Sequence, residues 1–500
     1  MRTARKNNSS LISFFLLLLL ISALPSIAQN AVDRPNIILF LVDDMGWTDT
    51  SVPFWKTKMD NNGYFQTPYM DSLAAQSLIF TQAYSSSPVC SPTRAAIMTG
   101  QNPMRTGITN WIPGERQDEK SKYLLPLWNQ HGLTPEDITL PALLSNSGYS
   151  TIHIGKAHFG LEGSTGADPE NLGFQQSYAG THIGSPVTFF PPYIKEDKSR
   201  SIPDLKSYSD QGMYLTDAIT ALTLDVLDSL NKQSAAPFFI NLAHYAVHTP
   251  IEAKKEYVEG YRLQGKSETE AKYAAMVQSM DESLGAVMNK LRELEIDQNT
   301  VIIFASDNGG HVIKAAGSPT ENLPVTGGKG FWYEGGYRVP FMVKMPGMGR
   351  QIVNFPTISE DLFPTILAMT HTDLPENHVI DGENLLEILI SGKATSPRKK
   401  PLIWHYPHYW ASPAVREEEQ GIGPFTAIRR GNWKFIYTYD DQQAYLYDLS
   451  VDIGEKNNLI QQHQPIAKKL VDALVAQMKA LDAGRPIDRT SKQPVPYPHL

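Results

Sequence analysis

Asn36-Ile37-Ile38-Leu39-Phe40-Leu41-Val42, followed at once by Asp43-Asp44, is the stretch on which the reading of the fold turns. The run shows no polar alternation, as suits a parallel strand covered on both faces, and the two acids mark its carboxyl end. Three other runs have the same form. Thr300-Val301-Ile302-Ile303-Phe304-Ala305 ends in Ser306-Asp307-Asn308-Gly309-Gly310, and Tyr149 to Ile154 ends in Gly155-Lys156-Ala157-His158. Pro237-Phe238-Phe239-Ile240-Asn241-Leu242 leads into Ala243-His244-Tyr245-Ala246-Val247-His248-Thr249-Pro250. In open α/β sheets ligands sit beyond the carboxyl ends of the strands, so four apolar runs each followed by polar or ionisable groups imply one shared site.

Helical patterns lie between these runs, as a doubly wound sheet requires. From Asp281 to Leu294, residues Leu284, Val287, Met288, Leu291 and Leu294 keep helical spacing, which predicts a helix packed on the sheet and feeding the Val301 strand. Past a Lys/Arg/Pro-containing link, Ser391 to Lys400, the texture changes to short aromatic-rich strands. Ala427 to Tyr437 and Ala444 to Leu449 predict an antiparallel meander, and Pro465 to Ala483 a helix stopped by Gly484. The expected organisation is an α/β domain over residues 29–395, a smaller α+β subdomain over 396–484 and a tail over 485–500.

With 500 residues, 41% hydrophobic and 19% charged, the chain has enough apolar material for a large core and length for two to three folding units. Arg2, Arg5 and Lys6 precede an apolar run from Leu11 to Leu24 that ends in Pro25-Ser26-Ile27-Ala28, the pattern of a secretory signal peptide cleaved after Ala28. The run is shorter than the roughly 20 residues a bilayer span needs, so no membrane span is expected after cleavage and the mature chain is expected to be periplasmic or secreted. Losing three positive charges takes the net charge from −8 to −11, which argues against wholesale capture of nucleic acid. An anionic substrate must instead meet a local basic pocket. Cys90 is the chain's one cysteine and has no internal disulfide partner, an oddity in an exported protein.

Around it, Ser85-Ser86-Ser87-Pro88-Val89-Cys90-Ser91-Pro92-Thr93-Arg94-Ala95-Ala96-Ile97-Met98-Thr99-Gly100 reads as a polar loop, a helix start with Pro92 in its first turn and a glycine stop. Cys90 then lies at a helix N-terminus, where unpaired N–H groups favour an anion, with Arg94 one turn along on the same side. Cys90-Ser91-Pro92-Thr93-Arg94 followed by Ala95-Ala96 and Thr99-Gly100 resembles the signature of the formylglycine-dependent type I sulfatases. The resemblance implies an alkaline phosphatase-like fold, a large mixed and mainly parallel sheet flanked by helices with a smaller antiparallel C-terminal part. It also implies that a separate maturation enzyme oxidises Cys90 to formylglycine. One hydroxyl of the hydrated aldehyde then attacks sulfur, and deprotonating the other expels sulfate, which divides one hard step into two easier ones.

The resemblance extends over nearly all of Pro35 to Leu481, and its matches fall on the strand ends and loops noted above. Asp43, Asp44, Asp307 and Asn308 match the family's divalent-cation ligands beside Cys90, an all-oxygen set that suits Ca²⁺. Lys156 and His158 match its Gly-Lys-x-His element, His248 its His-x-Pro element and Lys329 its Gly-Gly-Lys-Gly element. These matches imply that Lys156, Lys329 and Arg94 hold sulfate oxygens, that His248 with Lys329 protonates the leaving oxygen, and that His158 serves the elimination step. Glu334 and Arg338, in Glu334-Gly335-Gly336-Tyr337-Arg338, read as braces of a glycine-shaped loop. Trp404-His405-Tyr406-Pro407-His408-Tyr409-Trp410 resembles a segment of bacterial carbohydrate sulfatases, some acting on 4-sulfated galactose-type sugars. His405, His408, His182 and the Asn110-Trp111 loop are accordingly candidate contacts to a sulfated carbohydrate. Two other readings stay open on the sequence: a phosphodiesterase or phosphonate monoester hydrolase of the same superfamily, and a binder of sulfated glycans in which Cys90 is never converted.

Overall fold

The structure is a computed structural model that describes residues 34–114, 121–194, 200–233, 236–313, 317–411, 415–416 and 419–500. The expected signal peptide, residues 1–28, lies outside the described residues. The four apolar runs form β1 (Asn36–Val42), β3 (Ser150–Gly155), β5 (Phe238–Ala243) and β6 (Thr300–Ser306), with β2 (Ser77–Phe80) and β4 (Gln176–Tyr178) between them in the chain. Two later strands, β7 (Phe341–Lys344) and β8 (Gln351–Val353), complete a sheet of eight ordered β8-β2-β7-β6-β1-β5-β3-β4. The predicted four stand side by side at its centre in parallel, and β7 alone runs against its neighbours. Every residue of β1, β5 and β6 is buried, which is why these runs carry no alternation.

The sheet separates two apolar layers. On one face Ile38, Phe40 and Ile302 meet α2 (Leu215–Gln233) and α3 (Glu268–Glu293) through residues such as Ile219, Leu284 and Leu291. On the other, Ile37, Leu39 and Ile303 join a layer that includes Ala95, Ile97 and Met98 of α1 (Cys90–Thr99), a helix buried along its whole length. Gly100, in the left-handed region at φ +68°, ends α1 as expected. The helix predicted from Asp281 begins earlier, at Glu268. A capping box between Ser267 and Glu270 starts it, and the added turns bury Tyr273, Met276 and Val277.

The C-terminal part is a four-stranded antiparallel meander, β9 (Leu402–Tyr406), β10 (Phe425–Arg430), β11 (Trp433–Thr438) and β12 (Gln443–Asp448), backed by α4 (Gln464–Ala480). Arg34–Leu500 forms one compact unit, so the meander is a subdomain of the larger body. The link before it is fixed by Arg398, whose guanidinium makes two bonds of 2.6 and 2.9 Å to Asp361. Residues 485–500 are not a free tail: Ile487–Asp488 pairs with Tyr123–Leu124, and Val495 is buried. No helix among the described residues is long and apolar enough to cross a membrane.

Candidate active site

Strand register brings the first charged groups together. Val42 of β1 pairs with Ser306 of β6, so the next residues, Asp43-Asp44 and Asp307-Asn308, emerge side by side. Ladder bonds continue past the strand ends: Asp307 N–H donates to Val42 O (3.1 Å), Asp43 N–H to Ala246 O (2.9 Å) and Lys156 N–H to Ala243 O (2.7 Å). Asp44 N–H donates to Asp307 Oδ1 at 3.2 Å. Asp44 and His158 both adopt left-handed backbone, at φ +61° and +58°, a strained conformation for residues with a Cβ that recurs where a side chain must be aimed.

Three cations converge on the acids. Arg94, one turn into α1, donates through Nε to Asp307 Oδ2 (2.8 Å) and through Nη1 to Lys156 O (2.6 Å). Lys156 Nζ lies 2.7 Å from Asp43 Oδ2, and Lys329 Nζ lies 2.7 and 2.8 Å from the two oxygens of Asp44. Lys329 reaches this position because its loop packs backbone to backbone. Lys329 N–H donates to Gly310 O (2.9 Å), and a Cβ on Gly328 would lie 2.2 Å from that same oxygen.

Burial raises the Asp43 carboxyl well above its ordinary range; Lys156 and Arg94 oppose the shift, while Asp307 and Asp44 add to it. For Asp44 the same burial is outweighed by Lys329, His248 and Lys156, which hold it well below that range. Asp43 Oδ1 and Asn308 Oδ1 are buried without a hydrogen-bond partner. Orphaned oxygens beside three carboxylates are what a hard cation satisfies, so Asp43, Asp44, Asp307 and Asn308 fit a Ca²⁺-type ion. Asp43, Asp44 and His248 also offer ligand atoms within 4.8 Å of one another.

Cys90 Sγ lies 3.3 Å from His158 Nδ1. The other ring nitrogen, Nε2, is 2.5 Å from Ile112 O, and a carbonyl can only accept, so Nε2 carries the hydrogen and Nδ1 presents its lone pair to Cys90. Burial, then Lys156, keeps His158 well below the usual histidine range, so the ring is a neutral acceptor. His248 Nδ1 donates to Thr249 O (2.9 Å), which turns Nε2 toward Asp44 Oδ2 at 3.5 Å.

Cys90, His158, His248 and Lys329 line a cavity of about 530 Å³ that Trp111 and His182 also border. Arg94 and Lys156 do not reach it. They are buried among the acids, which do not line the cavity either, and Lys329 and Arg200 are the cations on its wall. His405 and His408 are corrected outright. His405 donates to Gly484 O (2.8 Å), and His408 Nε2 lies 2.8 Å from Thr109 Oγ1; both are buried, and neither lines the cavity. They are buried residues of the subdomain seam, each bonded through Nε2 and with Nδ1 left without a hydrogen-bond partner. From the same segment Trp410 does reach the cavity, and from the other loop Trp111 does while Asn110 is buried against Tyr406. His182 lines the wall, 3.9 Å from Glu162.

Sequence reasoning missed His311 and Arg200, which also line the cavity. His311 packs edge-on to Trp410 at 6.0 Å between ring centroids and directly follows Asp307-Asn308-Gly309-Gly310, so following that loop one residue further finds it. Arg200 has no such signal. Glu334 and Arg338 brace their loop as read: Glu334 binds Arg338 (3.0 Å), Tyr84 (2.7 Å) and, across the seam, Lys434 (3.1 Å).

Comparison with known proteins agrees with this geometry. A sulfatase family model matches residues 35–372, and a model described as the C-terminal part of N-sulphoglucosamine sulphohydrolase matches 328–483. The chain is 29% identical to a sulfatase of Formosa agariphila, over 100% of this chain and 98% of that one. It is 32% identical to the rat N-acetylgalactosamine-6-sulfatase over 93% of this chain and 90% of that one. Among solved structures, Ps i-CgsB in complex with k-i-k-neocarrahexaose is similar at a TM-score of 0.72 and 27% identity, covering 92% of this chain and 96% of that one. A phosphonate monoester hydrolase of Agrobacterium radiobacter, at 19% identity and a TM-score of 0.59, shares the fold alone. The chain belongs to the sulfatase family and is a sulfuric ester hydrolase.

Proposed function

We propose that the enzyme is exported, that Cys90 is converted to formylglycine by a maturation enzyme, and that with a Ca²⁺-type cation it removes sulfate from a galactose-type sugar. The observation that carries this is Cys90 beside the lone pair of His158 Nδ1, at the edge of a buried acid cluster with orphaned oxygens. The cation held by Asp43, Asp44, Asp307 and Asn308 supplies Lewis acidity at the sulfate. Formylglycine supplies the attacking hydroxyl.

The chain's own residues do the rest. His158 accepts a proton at Nδ1 from the group at position 90, the task of the elimination step. His248 and Lys329 line the cavity beside the departing sugar, and Lys329 Nζ supplies the proton to its oxygen. His248 Nε2 carries no hydrogen while Nδ1 donates to Thr249 O, and it can join Lys329 only after taking up a proton. Arg94 and Lys156 balance the acids among which they are buried, which keeps these groups fixed as charge develops beside them. Trp111 and Trp410 give the sugar apolar faces to stack on, with His182, His311 and Arg200 as polar contacts.

The galactose-type assignment rests on the named relatives, an N-acetylgalactosamine-6-sulfatase and a structure holding a neocarrahexaose. The 4-sulfate suggested by the Trp404–Trp410 segment and the 6-sulfate named for the mammalian relatives are separated by turnover of matched 4- and 6-sulfated galactose and N-acetylgalactosamine. Mass spectrometry of the Cys90 peptide, from protein made alongside a competent maturation enzyme, tests the chemistry. Aldehyde mass in place of thiol mass is expected, and an unconverted thiol in active protein refutes it. The phosphorus-ester reading is not favoured; a much higher kcat/KM on a phosphodiester than on its sulfate counterpart would restore it.

A further inference from the structure

A second cavity, of about 670 Å³, opens where the link before the C-terminal meander passes the start of the catalytic core. Its wall shares no residue with the catalytic pocket and carries Arg398, Lys400, Arg429 and Arg430 with Gln82 and Asn432. Two of these cations are spent locally. Arg398 is paired with Asp361, and Lys400 Nζ donates to the carbonyls of Ile380 (2.8 Å) and Gly382 (3.0 Å).

Neither Arg429 nor Arg430 has an acid bonded to it among the described residues. Arg429 is 2% exposed, yet its guanidinium binds only neutral oxygens: Gly431 O at 2.9 Å, the Tyr84 hydroxyl and Gln82 Oε1. Through the Tyr84 hydroxyl it reaches Glu334, whose charge already serves Arg338 and Lys434. Glu455 is the further acid at Lys434, and burial pushes it up to about 7. The seam therefore holds a positive surplus on the side that faces the cavity. Arg430, the next residue of β10, is exposed and has no ion-pair partner among the described residues. A buried guanidinium whose one neighbouring acid, Glu334, is shared with Arg338 and Lys434 is costly unless an anion completes it. In a chain of net charge −8 such a cleft is a local exception.

We propose that this cleft is an auxiliary site for the sulfate groups of a sulfated polysaccharide, holding a remote stretch of the polymer while a sulfated residue occupies the catalytic pocket. Arg429 and Arg430 contact the anion, and Arg398 and Lys400 shape the wall. Tethering raises the local concentration of substrate without any contact at the reacting sulfur. The proposal rests on the carbohydrate-sulfatase reading.

The test measures two quantities on the full chain. Binding of a sulfated galactan polymer, of galactose 6-sulfate and of inorganic sulfate is followed by calorimetry in the Cys90→Ala background, where nothing is turned over. Adding Arg430→Glu should weaken polymer binding about 5- to 10-fold, as expected for reversing one contact charge, and leave the monosaccharide unaffected. In the convertible enzyme the same change should raise KM for the polymer and leave kcat/KM for the monosaccharide unchanged, with Arg430→Lys close to wild type. Polymer affinity that is equal with and without the Arg430→Glu change overturns the proposal, as does a cleft that inorganic sulfate fills as tightly as the polymer. If the wild-type enzyme turns over no sulfate ester while Arg430-dependent polymer binding persists, the sulfatase reading fails and the cleft stands.

Discussion

Two clusters of buried charge lie in this molecule, one at the carboxyl ends of β1, β3 and β6 and one at the seam between the core and the C-terminal meander. At the seam, Glu334 is bonded to Arg338, Tyr84 and Lys434, and Lys434 to Glu455 at 2.6 Å. Both oxygens of Glu334 are engaged, and the surrounding cations hold its carboxyl down to about 2 against the effect of burial. At the strand ends, the acids are equally buried, but Asp43 Oδ1 and Asn308 Oδ1 have no partner. At the seam every acid oxygen is bonded and it is a donor, Arg338 Nε, that lacks a hydrogen-bond partner; at the strand ends it is acceptor oxygens that lack one, a set that calls for a cation. Density of buried charge does not identify an active site. Unmet bonding capacity beside a cavity does.

The largest expected effect separates the two clusters by function. Cys90→Ala should lower turnover of any sulfate ester by about a thousandfold or more, since it removes the reacting group, and leave the thermal transition in place because the residue makes no disulfide. Loss of the transition in that variant would assign Cys90 to the core instead. Lys434→Met is the reverse experiment. It strands Glu334 and Glu455 against each other in the interior, and removing one partner of a buried pair costs about 3–5 kcal/mol. A fall in the denaturation midpoint is expected, with kcat little changed in the protein that remains folded. A variant with unaltered stability would show that Lys434 is not what holds Glu334 and Glu455 together.

How much of this was legible in the sequence follows the same division. β1 and β6 announce themselves because both faces are buried, and the pairs Asp43-Asp44 and Asp307-Asn308 fall just past their ends, where parallel register sets them together. The helix at Cys90 could be placed from Pro92 and Gly100. Burial on both faces is also what misled the reading of β9: His405 and His408 stand in or next to a strand with every residue buried, so no alternation distinguishes a residue facing the pocket from one facing the interior. The pairing of Ile487–Asp488 with Tyr123–Leu124 joins two-residue strands far apart in the chain, and nothing local signals it. That Arg94 and Lys156 are fully buried among the acids depends on depth, which spacing along a chain does not encode.

Glu360 offers a third kind of buried acid and sharpens the comparison. It sits beneath the loop that leads to Cys90, bonded to Ser86 and, at 3.4 Å, to Asn102. Burial pushes its carboxyl up from 4.5 to about 7. The folded state thus binds this proton more tightly than the unfolded state, so the contribution of Glu360 to stability is full below about pH 4.5 and is lost as pH rises through about 7. The loss is on the order of 3 kcal/mol for a displacement of that size. Glu360→Gln, which mimics the protonated form, should flatten the dependence of the melting temperature between about pH 5 and 8. An unchanged slope would place the titrating group elsewhere.

The smallest expected effect involves no charge at all, and it tests whether the strand-end cluster acts through geometry. Gly184 lies against the His158 ring, and a Cβ there would come 2.5 Å from Cε1 and 2.8 Å from Nε2. Gly184→Ala must therefore shift the ring, and with it the contacts of Nε2 with Ile112 O and of Nδ1 with position 90. The ring lies at the edge of the pocket and can move without opening the core, so stability should hold. A displacement of this size typically costs about 10- to 100-fold in a step that needs hydrogen-bond contact. On the proposed role of His158 in the step after the sugar has left, kcat and KM should fall together and kcat/KM should change little. Wild-type kcat in Gly184→Ala would mean that the 3.3 Å approach of His158 to Cys90 is not the contact on which turnover depends.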